Sequence, residues 1–134
     1  MSVTSFVPHS IILKPEDKTV AATPTLFFWR AAFPGRVAGC YASDETGVAA
    51  DPTNYMTLTL TNTGAAGSGT TSMATHVGTA AIAAGVPKAF TLSTTAANLE
   101  FAAGDIIKVV KTEAGLGQDF ADGRLQLDVY PGKG

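Results

Sequence analysis

Apolar and polar residues alternate along most of this chain with a period of two, and the helical period of 3.6 is nearly absent. In Tyr55–Asn62, Met56, Leu58 and Leu60 fall on one face, and Thr57, Thr59 and Thr61 on the other. Arg124–Tyr130 repeats the pattern with Leu125, Leu127 and Val129 inward, and Ala89–Ser93 and Asn98–Phe101 are shorter versions. Asp105–Lys111 is apolar almost throughout, which predicts a central strand covered on both faces. Leu26–Phe33, Arg36–Ser43 and Thr70–His76 supply further strands.

Turn residues fall between these runs. Pro34-Gly35 predicts a hairpin, Gly64–Gly69 a flexible one, and Ala103-Gly104-Asp105 and Asp122-Gly123 tight turns before the last two long strands. His76–Gly85 fits either a short helix or a turn, because Gly78 and Gly85 weaken any helix there. The predicted fold class is therefore all-β: a jelly roll or related antiparallel β-sandwich of about eight or nine strands, with an extended N-terminal arm.

The arm is read as residues 1–20 and the single sandwich domain as 21–134. Ser5–Leu13 is extended and apolar, and Lys14–Lys18 is a polar turn. Such an arm either adds a strand to its own sheet or pairs with the sheet edge of a neighbouring molecule.

At 134 residues and 13.7 kDa the chain suits one core that folds without metals or disulfides. Cys40 is the only cysteine, so no intrachain disulfide forms and a reducing cytoplasm is the expected setting for assembly. The first residues lack a charged segment followed by an apolar run, which reads against a standard signal peptide. No apolar stretch approaches membrane-spanning length, so no membrane partner is expected. Charged residues make up only 15% of the chain, with a net charge of -2. Clustered Lys and Arg are missing, so no nucleic-acid partner is expected. What remains is a surface rich in Thr, Ala, Gly and Ser, of a kind that suits packing against neighbours.

Candidate chemistry is sparse. Gly64–Thr71 superficially resembles a phosphate-cradling loop, but Thr70 stands where such a loop needs Lys and no helix pattern follows. His9 and His76 have no partner His, Cys or carboxylate at metal-ligand spacing, and so read as polar surface histidines. Cys40 reads as a small core residue, without the third group that orients a Cys–His pair. Asp44, Glu45 and Asp51, and likewise Asp119 and Asp122, read as solvated loop carboxylates, since neither cluster matches the ordered spacing of a calcium loop or recommends itself as a glycosidase pair. No catalytic residue, cofactor or metal is expected. Leu26–Arg30 carries aromatics at both parities: if Phe28 is buried, Phe27, Trp29 and Phe33 point the other way, toward a partner surface or beneath the N-terminal arm.

Taken together, Phe33–Val37, Asn54–Leu60, Ala89–Leu92, Ala103–Ile107 and Arg124–Val129 resemble small structural proteins of tailed bacteriophages. More narrowly, the chain is similar to the jelly-roll head decoration, or cement, proteins that sit as trimers on the outside of the capsid. The resemblance spans roughly residues 25–130 and is one of style and order. It implies a non-enzymatic virion protein on the capsid exterior, assembled in the host cytoplasm, whose partners are itself, as a homotrimer, and the major capsid protein. Candidate partner-binding residues are Phe6, Val7, Ile11, Ile12 and Leu13 of the arm, with Phe27 and Trp29. The alternatives are a phage tail or fibre module, or a carbohydrate- or receptor-binding module using Trp29, Tyr41, Tyr55 or Tyr130 as stacking platforms. A metal-dependent cupin-type enzyme ranks below these, because the chain has two histidines and no His-x-His pair.

Overall fold

Ten strands form in the computed structural model, which describes residues 9–13, 25–120 and 123–132. They are β1 (His9–Leu13), β2 (Thr25–Arg30), β3 (Gly35–Asp44), β4 (Tyr55–Asn62) and β5 (Thr71–Val77), then the short β6 (Lys88–Ala89), β7 (Thr91–Leu92) and β8 (Glu100–Phe101), and the long β9 (Ile106–Ala114) and β10 (Gly123–Pro131). The first sheet has the order β1-β10-β3-β6, with β8 also pairing β3; the second has the order β2-β9-β4-β5-β7.

Every pairing is antiparallel, and the partners nest: β1 with β10, β2 with β9, β3 with β6 and β4 with β5. The strands are thus shared between two facing sheets, an antiparallel β-sandwich. Among the described residues no helix is long and apolar enough to cross a membrane.

The period-two pattern works here as the pleat requires. Met56, Leu58 and Leu60 of β4, Ile107 and Val109 of β9, and Leu125, Leu127 and Val129 of β10 are all buried between the sheets. Fully burying a side chain of this size contributes roughly 1.5–3 kcal/mol, so these three strands supply much of the adhesion between sheets. Phe90, Phe101, Phe120 and Ile82, from the short strands and loops, close the ends of the core.

Several local expectations are corrected. Pro34-Gly35 makes no hairpin, because β2 and β3 lie in different sheets and the turn carries the chain across the core. Gly35 is needed there for space: a Cβ would run into the Tyr130 carbonyl oxygen. Ala89–Ser93 is not one strand. It pairs with β3 through Lys88 and Ala89 and then with β5 through Thr91 and Leu92, changing sheets at the buried Phe90. Asn98–Phe101 begins instead as a 3-10 turn, Ala96–Leu99. In His76–Gly85 the first two residues finish β5, and the rest is turns held by a bridge between Val48 and Ile82. β9 is central in its sheet, yet Ile106, Lys108 and Val110 on its outer face are only half-buried, so it is not covered on both faces.

The extended segment near the start contributes to the sandwich. His9–Leu13 runs along Leu125–Val129 in continuous register as the edge strand of the first sheet. A strand of the sandwich thus comes from within residues 1–20.

Candidate functional site

The two sheets present very different outer faces. On the first, Arg36, Tyr130, Asp128, Gln126, Tyr41, Ser43 and Arg124 point away from the core, as the register with their buried neighbours requires. This face is polar and partly self-paired: the Arg36 guanidinium lies 4.6 Å from the Tyr130 ring centroid, Arg124 pairs with Glu45 at 3.1 Å, and Gln126 donates to Asp128 at 2.9 Å.

The second face is nearly uncharged. Thr91, Thr75, Thr59 and Val110 lie in one cross-strand row, and Val77, Thr57 and Thr112 in the next. Ser72, Thr61 and Lys108 make a third row, with Phe28 in register beyond Lys108. Among the described residues of these three rows Lys108 is the only charged one. The sequence pattern marked Thr57, Thr59 and Thr61 as outward, but the convergence of threonines from four strands depends on pairing that a single strand's pattern does not contain.

The residues singled out in the sequence scatter over the molecule. Phe6 and Val7 lie outside the described residues. Ile11, Ile12 and Leu13 sit on β1, in register with Leu127, Gln126 and Leu125. Phe27 stands opposite Val109, and Trp29 opposite Ile107. Ile107 is wholly buried, so the register turns Trp29 toward the core side, against the outward parity considered above. Its ring is half-buried and packs edge-on against Phe33 at 5.8 Å and Phe101 at 5.4 Å between centroids. Trp29 therefore closes one end of the sandwich.

Trp29, Tyr41, Tyr55 and Tyr130 do not form one stacking platform. Trp29 faces the core, Tyr41 and Tyr130 the polar outer face, and Tyr55 the opposite one.

The polar candidates have structural work. Asp44 is buried and its Oδ1 accepts hydrogen bonds from the Thr46 amide at 3.0 Å and hydroxyl at 2.9 Å. Asp51 accepts from the Thr53 and Asn54 amides, which holds its carboxyl below the usual carboxylate value. Burial pushes the Cys40 thiol up to about 12, so it is not a nucleophile at neutral pH. Among the described residues no three His, Cys, Asp or Glu side chains gather as a metal would require.

Two features were not legible in the sequence. Lys111 and Glu113 form an ion pair on the core side of β9, and Gln118 stitches the same end of the sandwich. Gln118 Oε1 accepts from the Met56 amide at 3.0 Å, and Nε2 donates to the carbonyls of Ala49 at 2.8 Å and Gly78 at 3.3 Å. His76, expected at the surface, is instead buried beside Phe90, because its parity on β5 turns it to the core side, and its Nε2 has no hydrogen-bond partner.

Comparison with known proteins finds no matching family, no matching curated protein and no matching solved structure.

Proposed function

We propose that this chain is a non-enzymatic structural subunit of a virion: a decoration protein that assembles with copies of itself, as a trimer, on the outside of a phage head. In this reading it works by contact area, joining shell subunits so that more surface is buried and the shell resists internal pressure.

The observation that supports the reading is the asymmetry between the two outer faces. Charged residues are depleted at the centres of protein interfaces, because each buried charge must be desolvated. The face built on β9, β4 and β5 offers rows of Thr and Val around one lysine, whereas the opposite face carries paired charges and faces water comfortably. The three strands β9, β4 and β5, roughly 4.8 Å apart and about eight residues long, span about 380 Å². That is about half of one partner's share of a standard interface, so the flanking edge strands β2 and β7 and the adjoining loops would supply the rest.

The direct test is the mass of the purified chain by light scattering coupled to size exclusion. A concentration-stable trimer of about 41 kDa, three times 13.7 kDa, is expected. A strict monomer at every concentration tested overturns the proposal of a preformed trimer.

A further inference from the structure

β9 runs into a tight turn, Ala114–Gly117, closed by the Gly117 amide donating to the Ala114 carbonyl at 3.0 Å. Gly115 (φ +58°) and Gly117 (φ +73°) take the left-handed backbone that this turn requires, and Leu116 stands between them. Both sides of the turn are braced. The Leu116 amide donates to Asn54 Oδ1 at 2.8 Å, and Asn54 is held in turn by Asp51, whose carboxylate accepts the Thr53 and Asn54 amides. On the other side the Gln118 amide donates to Glu113, which is ion-paired to the buried Lys111. Leu116 is nevertheless 75% exposed, more than any other large apolar residue described, and takes no part in the core.

The turn is continuous with the threonine face. Tyr55 and Ala114 pair across β4 and β9 on the outer parity, one step beyond the row of Val77, Thr57 and Thr112. Leu116 follows Ala114 by two residues and is bonded to the chain neighbour of Tyr55. The face thus ends in an apolar corner made of Tyr55, Val77, Ala114 and Leu116.

We propose that Leu116 is the anchor by which a second copy of this chain is held against the threonine face. The inference rests on the self-assembly reading above and says where the affinity is concentrated. Two observations choose a second copy as the occupant. The three central strands span only about half of one partner's share of a standard interface, and the apolar corner extends that same surface. Affinity at interfaces is concentrated in a few anchors set in an energetically neutral surround, which is the relation of this corner to the threonine rows. A turn already fixed by hydrogen bonds at both ends adds little ordering cost when Leu116 is covered. Burying one leucine strengthens a contact about tenfold to a hundredfold.

The test is the solution mass of wild type, Leu116→Ala, Leu116→Asp and Val86→Asp over a dilution series, with thermal unfolding to show that each is folded. Val86 is the control, an apolar residue 55% exposed on a different turn, beside β6 of the first sheet. Wild type and Val86→Asp are expected to remain trimeric to the same dilution. Leu116→Ala is expected to dissociate at a concentration at least about tenfold higher, and Leu116→Asp to be a monomer. A folded Leu116→Asp with the wild-type midpoint would overturn the anchor and leave the trimer standing, with the corner then free for a different protein. Equal dissociation of Val86→Asp would also overturn it, since added charge anywhere would then suffice. A wild type that is monomeric throughout would overturn the self-assembly reading and the anchor with it.

Discussion

Lys111 and Glu113 stand two residues apart on β9, both turned into the core, and their side chains form an ion pair there. Glu113 also accepts a hydrogen bond from the Gln118 amide at 3.0 Å. The pair therefore anchors the segment after β9 to the interior of the second sheet. Removing one partner of a buried pair leaves the other charge in a poor solvent, which costs about 3–5 kcal/mol, whereas apolar replacement of both is often close to neutral. Glu113→Ala is expected to lose stability in that range by urea denaturation, and Lys111→Met with Glu113→Leu to recover most of it. A double variant no better than Glu113→Ala would show that the pair is itself a net stabiliser.

Gln118 is the only side chain bonding to Met56, Ala49 and Gly78 at that end of the sandwich among the described hydrogen bonds. Gln118→Leu keeps the volume but removes a hydrogen bond from three backbone groups, one of them the buried amide of Met56, while the Gly78 carbonyl keeps its bond from the Asp51 amide. Each unpaired buried group costs about 1–3 kcal/mol. A loss of at least about 2 kcal/mol is the expected outcome, with Gly78→Ala also destabilising because its Cβ would strike Gln118 Oε1. Midpoints within experimental error of wild type would mean that water replaces the side chain without loss.

Cys40 faces Leu127 across the first sheet and is 2% exposed. Burial, as the largest cause, pushes its thiol up to about 12. In the native protein the thiol should be silent toward an aromatic disulfide reagent at about pH 8, then react fully once the chain is unfolded in guanidinium. Rapid native labelling would show that β3 and β10 open readily.

His76 gives the fold a pH dependence with a defined sign. Burial, and then the charge of Lys88, hold its imidazole below the ordinary value of 6.5. The unfolded chain thus binds more protons than the folded one between that value and the lower folded one. Stability is complete above the unfolded value and falls as pH drops through the window. Urea midpoints measured from about pH 7.5 to 5.5 should decline in wild type and decline less in His76→Gln, all other groups being common to both. Equal slopes would mean that His76 is not the group responsible.

The long strands were readable because one face of each is buried. Met56, Leu58 and Leu60 alternate with threonines so regularly that no other secondary structure fits. The short elements were not readable, because they are set by where the chain changes sheets. Phe90 is buried whichever sheet its neighbours join, so its pattern alone could not show that Lys88 pairs on one side and Thr91 on the other. Lys111 was misleading for a related reason. Lysine is almost never wholly buried unless paired, and its neutralising carboxylate lies two residues along the same face, where spacing alone says nothing about depth. Trp29 followed its register partner Ile107 inward, which required knowing that β2 pairs with β9. Nothing in one strand's own pattern brings threonines of four strands into rows.

In the proposed assembly, copies of the protein join through the threonine-rich outer face of the second sheet. Lysine placed at Thr59, in the middle of that face, and lysine placed at Gln126, on the polar face opposite, separate this claim from general effects of added charge. The measurement is the solution mass of the two variants beside wild type, with thermal unfolding to show that each remains folded. A trimer is expected for wild type and Gln126→Lys, and a monomer for Thr59→Lys, since a buried unpaired charge typically costs several kcal/mol at an interface. A folded Thr59→Lys that remains trimeric, or a Gln126→Lys that falls apart instead, would contradict it.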